Sequence, residues 1–437
     1  MEEDGSLGTG DVLSVFYPEA HKADAHAFSK LLAYIKEVDY GHWTVLMIQV
    51  ENETGLIGDS RDRSPIATQK YMEPVPQDLI EFLSSNRDKL HPDMRPQLAF
   101  FEAHSNSVRN QNWESVFGKS PKTEELFMAY HYAHYLDNVA AAGKAVYPLP
   151  FYTNVWQNYN SDDGDNPFPA IVGGGDSPGV YPSGGAIPDV LDVWQKFAPN
   201  LDFIAPDVYL NDYESSCAKY RHRNQPLFIP EQRRDEYGAR RTWIAYGSYA
   251  AIGASPFGID TLEASSNPYT MHYGLLKSVS QIVLEAQRKP NTSVGFCFDE
   301  LNADGSDPSR PIVRQWGGYE FTIERCFVYG KPGPASGMVI HRGGGVLLLV
   351  GWGFQVRAKA LTGSFTGILR FEEKAVEDEA TGELRTLRTL GGDETRSGSF
   401  AMMPNEDPDY GGFPICVTIP AKTCIAELEV YHLEEEQ

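Results

Sequence analysis

Thr44–Gly55 reads TVLMIQVENETG. Its first seven residues, Thr44–Val50, are a largely unbroken apolar run, as expected of a strand covered on both faces. Glu51, Asn52 and Glu53 follow at once. Two carboxylates and an amide at the end of a buried strand cost free energy unless they find partners or do chemistry. Capping a helix, or pairing with Arg61 or Arg63, would satisfy them without any chemistry.

Outward from this stretch the same pattern recurs. A helical spacing of Phe28, Leu31, Leu32 and Ile35 predicts a helix over His26–Val38, just before the strand. Downstream, helices are expected over Pro76–Leu90, Thr123–Ala142, Ile187–Phe197, Asp212–Tyr220, Arg240–Ile252 and Tyr269–Arg288. Strands are expected over Tyr147–Trp156, Asp202–Tyr209, Pro226–Pro230 and Pro256–Asp260. Such alternation implies βα units and a parallel sheet. Polar residues gather where these strands end: Asn154 and Trp156, Asp207 and Tyr209, Glu231, and Asp260 with Glu263. A (β/α) barrel carries its active site there. No glycine-rich phosphate loop follows any strand, and Gly173-Gly174-Gly175 reads as part of a long surface or lid loop.

Beyond about residue 290 the helical period disappears. Short β-like segments remain at Ser293–Phe298, Phe321–Val328, Gly337–His341, Gly345–Val350, Thr366–Glu373, Ile415–Ile419 and Ile425–Tyr431, separated by Gly/Pro turns. They predict an antiparallel β-sandwich. The expected domains are 1–300, a (β/α) barrel, and 301–437, the sandwich.

Composition narrows the function. The net charge of −23 disfavours nucleic acid and anionic membranes as partners. There is no run of about 18 apolar residues, hence no expected membrane span. MEEDGSLGTG lacks the apolar core of a secretory signal. The compartment stays open, since the sequon Asn291-Thr292-Ser293 matters only in a secretory pathway. The five cysteines have no metal-ligand spacing, and a single bridge such as Cys416–Cys424 stays open. His131 and His134 read as a packing pair without a third ligand. An aromatic content of 12% suits a neutral polar ligand such as a sugar.

Leu227–Arg234, LFIPEQRR, supplies a second carboxylate, Glu231, after another apolar strand. An ion pair with Arg233 or Arg234 would account for it alone. Glu53 and Glu231 together suit glycoside hydrolysis, which uses two carboxyls on opposite sides of a sugar ring. They lie 178 residues apart, with two predicted strands between them.

Asn52-Glu53 within IQVENETG resembles the acid/base motif of glycoside hydrolase family 35, the β-galactosidases of clan A. The later part, with RGGG and LLLVGWG in Arg342–Gly353, looks like the C-terminal domain of that family's bacterial and fungal branch. The resemblance implies a TIM-type (β/α)8 barrel followed by an antiparallel β-sandwich. It makes Glu53 the general acid/base on strand 4 and Glu231 the nucleophile on strand 7. It also implies that Asn52 binds the sugar 2-OH and that Tyr209 orients the nucleophile. Asn154 and Trp156 become substrate contacts at strand 5, Trp156 by stacking on a sugar face. No metal or organic cofactor is implied. The partner is a β-galactoside oligo- or polysaccharide.

One departure stands out. Only 43 residues precede Thr44, whereas three βα units need roughly 100 at about 30 each. Strands 1 to 3 are therefore expected to be absent. A piece of a longer enzyme, a barrel completed by another chain or a homo-oligomer, and a degenerate relative would each account for that. A non-catalytic carbohydrate-binding pseudoenzyme, or a glycosidase of different pentose or hexose specificity, are the competing functions.

Overall fold

Where apolar runs are bounded by polar residues, the chain builds two compact units, Met1–Glu231 and Gln232–Gln437. The computed structural model describes residues 13–103, 110–159, 174–326, 333–363, 365–406 and 420–434. The division falls ahead of the expected boundary at residue 300. The reason is that the helices Glu236–Tyr249, Pro268–Ser278 and Ser280–Gln287 share an apolar core with the later strands.

In the first unit, β1 (Ile48–Gln49), β2 (Phe151–Trp156) and β3 (Phe203–Asp207) form a parallel sheet in that order. A short β4 (Phe228–Ile229) follows, and Val208 N–H donates to the Glu231 carbonyl at 2.9 Å. Gln225 pins the approach to β4, accepting from Ile204 N–H and donating to the Ile204 carbonyl. Side chains alternate between the two faces of a strand. On one face Phe151 meets Phe28 of the helix Pro18–Asp39, ring centroids 5.4 Å apart. On the other, Tyr152 stacks on Phe203 at 5.4 Å and Phe228 packs against Tyr152 at 5.1 Å. Each such ring contributes about 1.5–3 kcal/mol on burial. Beyond this aromatic layer, toward the strand C-termini, the same face turns polar with Asn154 and Asp207.

The helix Pro121–Lys144 starts at Ser120, whose side chain accepts from Thr123 N–H, with Pro121 in its first turn. It is buried on most sides. The helix Pro18–Asp39 is not: Leu32 is buried, but Leu31, Tyr34 and Val38 are exposed at helical spacing. Leu31 therefore does not belong to the buried face expected from the pattern. Trp43 and Leu46, next to β1, are exposed as well.

The second unit has three layers. A six-stranded antiparallel sheet runs in the order Glu383–Thr389, Phe365–Asp378, Ile425–Leu433, Val346–Trp352, Ala335–Gly343 and Ser293–Phe298. A four-stranded sheet, Ala401–Met402, Phe354–Ala360, Tyr319–Arg325 and Ile312–Trp316, faces it across a core that includes Phe296, Phe321, Leu347, Phe354 and Leu428. The other face of the larger sheet packs Met338, Leu348 and Trp352 against Trp243 and Ile282 of the helices and Val279 between two of them.

Two expectations are corrected. Pro256–Asp260 is not a strand: Ile259–Thr261 is a 3-10 turn, and Asp260 and Glu263 are exposed. The single helix expected over Tyr269–Arg288 breaks at Val279. The strands starting at Ile312, Phe354, Glu383 and Ala401 were not expected: FQVRAKA in Phe354–Ala360 does alternate, whereas Ile312–Trp316 and Glu383–Thr389 do not and Ala401–Met402 is too short to show a period. Ile415–Ile419, Gly173 and Cys416 lie outside the described residues, while Cys217, Cys297, Cys326 and Cys424 are free thiols. Among the described residues no helix is long and apolar enough to cross a membrane.

The helix Glu236–Tyr249 touches the strand Ser293–Phe298 through glycine. A Cβ on Gly295 would come within 1.8 Å of the Trp243 carbonyl oxygen. Gly295→Ala is expected to lower unfolding stability by about 1–3 kcal/mol, read as a lower denaturant midpoint at unchanged m-value.

Candidate functional site

The segment after β1 takes an uncommon path. Glu51 and Glu53 have φ of 57° and 44°, the left-handed region that non-glycine residues enter at a cost of about 1–3 kcal/mol each. Two contacts hold it. The Glu53 N–H donates to Asn154 Oδ1 at 2.9 Å. Leu56 pairs with Ser183 through both backbone hydrogen bonds, at 3.0 and 2.8 Å. Gly55 is required between them, because a Cβ there would lie 2.5 Å from Pro182 Cβ. The turn thus aims Glu53 back over the C-terminal ends of the strands.

There it meets Asp207 and Glu231. One carboxylate oxygen from each of the three lies within 4.8 Å of the others. They form an acidic cluster, with Asp207 only 3% exposed and the two glutamates half-buried. Such a cluster is suited to catalysis or to ligand binding.

Asn154, 2% exposed, is its hub. Its Nδ2 donates to Asp207 Oδ2 at 2.8 Å and to Asn52 Oδ1 at 3.1 Å, with Glu231 Oε1 at 3.5 Å. An amide nitrogen has two hydrogens, so the glutamate contact is the weakest of the three. Glu231 has a better donor in the Tyr209 hydroxyl, 2.7 Å from Oε2. Asn52 Oδ1 also accepts from Gln49 Nε2 at 3.1 Å. The Asp207 carbonyl is fixed by Gln157 Nε2 at 2.8 Å.

Three ionised carboxyls this close would repel by about 3 kcal/mol per pair at an effective dielectric constant of ~20. Protonation relieves this. Burial, with the charges of Glu231 and Glu53, pushes the Asp207 carboxyl up to about 10. Burial also raises Glu53, a hydrogen bond to Asp207 pulls it back, and the charge of Glu231 raises it further. Burial and the neighbouring carboxylates bias Asp207, the most buried of the three, toward its protonated form.

Three carboxylate oxygens also make a donor set for a hard cation. Here, however, N–H and O–H donors already point at the oxygens of Asp207 and Glu231, as they do in a hydrogen-bonded acid cluster.

Glu53, Glu231, Asn52, Asn154 and Tyr209 are therefore brought together by the first unit. Trp156 is half-buried and in register with Asp207, but takes no part in these hydrogen bonds among the described residues. Arg61 and Arg63 engage Glu124, and Arg63 also Asp59. Arg233 pairs with Asp235. His131 packs among Phe16, Phe127 and Tyr130, and burial holds it down to about 3. The sequence places Asp207 among the polar residues at the strand ends without giving it a role, and does not foretell the central position of Asn154. The signal available was the same as for Glu231, a polar residue closing an apolar strand.

A family model described as a domain of unknown function, DUF5597, matches residues 269–402. The match lies wholly in the second unit and contains none of the clustered carboxyls. A search of curated proteins finds no match.

Asn154→Asp would put a fourth carboxyl at the hub. Its folded-state pKa would be raised above the unfolded value of about 3.9, so the destabilisation grows as pH rises through the range between the two. Unfolding measurements are expected to show a loss of about 3 kcal/mol or more near pH 8 and a smaller loss near pH 5.

Proposed function

We propose that the chain is a retaining glycoside hydrolase acting on terminal β-galactosides, with Glu53 as acid/base and Glu231 as nucleophile. One observation carries this reading: two glutamates 178 residues apart in sequence, one just after β1 and one just after β4, bring carboxyl oxygens within 4.8 Å of each other. Double displacement uses carboxyls about 5–5.5 Å apart, whereas inversion needs about 6.5–9.5 Å to admit a water.

The environments of the two residues support separate roles. Burial favours the protonated form of Glu53, as a general acid requires. Glu231 accepts the Tyr209 hydroxyl, which steadies a carboxylate poised to attack. In the first step Glu53 gives its proton to the glycosidic oxygen while Glu231 Oε bonds to the anomeric carbon, and the aglycone leaves. In the second, Glu53 takes a proton from water, which displaces Glu231 and regenerates both groups. Asn52, exposed beside Glu53, and the half-buried Trp156 supply a hydrogen-bonding edge and an aromatic face for the sugar.

The galactoside class rests on the resemblance of Ile48–Gly55 to family 35. The proposed architecture is a partial TIM-type barrel joined to the sandwich. Its support is the consecutive parallel order β1-β2-β3, with an aromatic layer beneath a polar one as in a barrel interior.

Hydrolysis of a chromogenic β-galactoside by the 437-residue chain tests the reading. Glu231→Gln is expected to lower the rate on the order of 10⁴-fold, with retention of anomeric configuration in the native protein. Equal rates in the two proteins would overturn it and favour a carbohydrate-binding role. Activity is expected to fall as pH rises through the elevated Glu53 pKa, where the acid form is lost.

A further inference from the structure

We propose that the second unit carries a carbohydrate-binding strip on the open part of its larger sheet, where Phe365 and Tyr431 stack against the sugar rings of a neutral oligosaccharide chain. Every residue of the strip belongs to the second unit, whereas the acidic cluster belongs to the first. Its recognition chemistry therefore stands without the glycosidase reading.

The strands Phe365–Asp378 and Ile425–Leu433 are antiparallel neighbours, with Phe365 opposite Leu433, Gly367 opposite Tyr431, Arg370 opposite Glu429 and Glu372 opposite Glu427. One face of this pair, with Phe371, Leu428 and Val430, lies in the core between the two sheets. Side chains alternate, so Glu427, Glu429, Tyr431 and Leu433 stand on the other face. A bulge between Ile368 and Arg370 shifts the alternation of the longer strand and sets Phe365, Gly367, Arg370 and Glu372 beside them. Both rings reach solvent, Phe365 being 51% exposed and Tyr431 37%. Their centroids are 6.0 Å apart. Gly367 lies beneath both, since a Cβ there would come within 2.7 Å of the Tyr431 ring and 2.9 Å of the Phe365 ring. Glycine thus lets two aromatic rings converge on the open sheet face.

The charges beside the rings select the ligand. Arg370 Nε donates to Glu429 Oε2 at 2.8 Å. Lys374 Nζ lies 2.7 Å from Glu372 and 3.3 Å from Glu427, and Arg342 lies 3.8 Å from Glu427. Three cations meet three anions, so the strip is neutral in a chain of net charge −23. A charged ligand gains no net attraction from such a surface. Ion pairs that reach water still offer donors and acceptors side by side, and Arg370 is 61% exposed. A sugar ring has an apolar C–H face and a rim of hydroxyls, which match aromatic faces flanked by such pairs. Size favours the same occupant. Glu427 to Leu433 spans about 20 Å at ~3.3 Å per residue, and a two-stranded ribbon is about 10 Å wide. The resulting area of about 200 Å² falls well short of the ~800 Å² per partner of a stable protein interface, and it fits a linear chain of sugars.

Affinity electrophoresis of the whole chain tests this, in gels containing in turn β-1,4-galactan, mixed-linkage β-glucan and anionic polygalacturonate. Glu231→Gln serves as the parent, so that binding is read without turnover and the glycosidase reading is decided separately by the hydrolysis assay. The parent is expected to be retarded by at least one of the two neutral polymers. Replacing both rings, Phe365→Ala with Tyr431→Ala, is expected to weaken that apparent affinity about tenfold or more, while Tyr431→Phe binds as the parent does. Phe365→Trp places a reporter on the strip, and its indole emission is expected to shift to the blue when the retarding polymer is added. No retardation by either neutral polymer, equal retardation of the parent and the double variant, an unmoved indole emission, or stronger retardation by polygalacturonate would each overturn the proposal. A dimer that the double substitution turns into a monomer in light scattering would overturn it in favour of a contact between copies of the chain.

Discussion

Crowding of negative charge is the constraint on which the first unit depends. Three carboxyls within 4.8 Å of one another, one of them buried, do not coexist as three anions. The structure meets this with the Asn154 amide between the strands and the Tyr209 hydroxyl on Glu231, while burial biases Asp207 toward its protonated form. Asn154 has a dual part, because its oxygen holds the backbone of Glu53 while its nitrogen serves Asp207. A neutral amide is well chosen at that position: it donates and accepts without adding charge.

The strained turn at Glu51–Glu53 is the other side of the same arrangement. Two residues with positive φ are sustained by the Asn154 contact and by the close packing of Gly55 against Pro182. Strain of this kind persists where surrounding structure over-determines it, and it collects at functional sites. Beneath the turn, Tyr152, Phe203 and Phe228 form an apolar floor that fixes the strands on which the polar groups stand. The second unit solves a different problem. Its larger sheet is apolar on both faces, one covered by the smaller sheet and one by three helices. That double coverage places the helices after Gln232 with the strands of the two sheets, and the residues matched by DUF5597 begin with two of those helices.

Sequence alone determined the positions of most helices, of three of the parallel strands within a few residues, and of the carboxylates at strand ends. These are local matters, since apolar periodicity and the switch to polar residues reflect which face each segment buries. It misjudged Pro256–Asp260, where the chain enters a 3-10 turn at Ile259–Thr261, and it missed edge strands whose burial does not alternate cleanly. Only the tertiary structure decided that Glu53, Asp207 and Glu231 share one site, that Asn154 joins them, and that the chain divides at Glu231. Those outcomes turn on distances between residues far apart in the chain. No local pattern encodes such a distance, because it is set by the sum of the packing between the strands and helices that carry them.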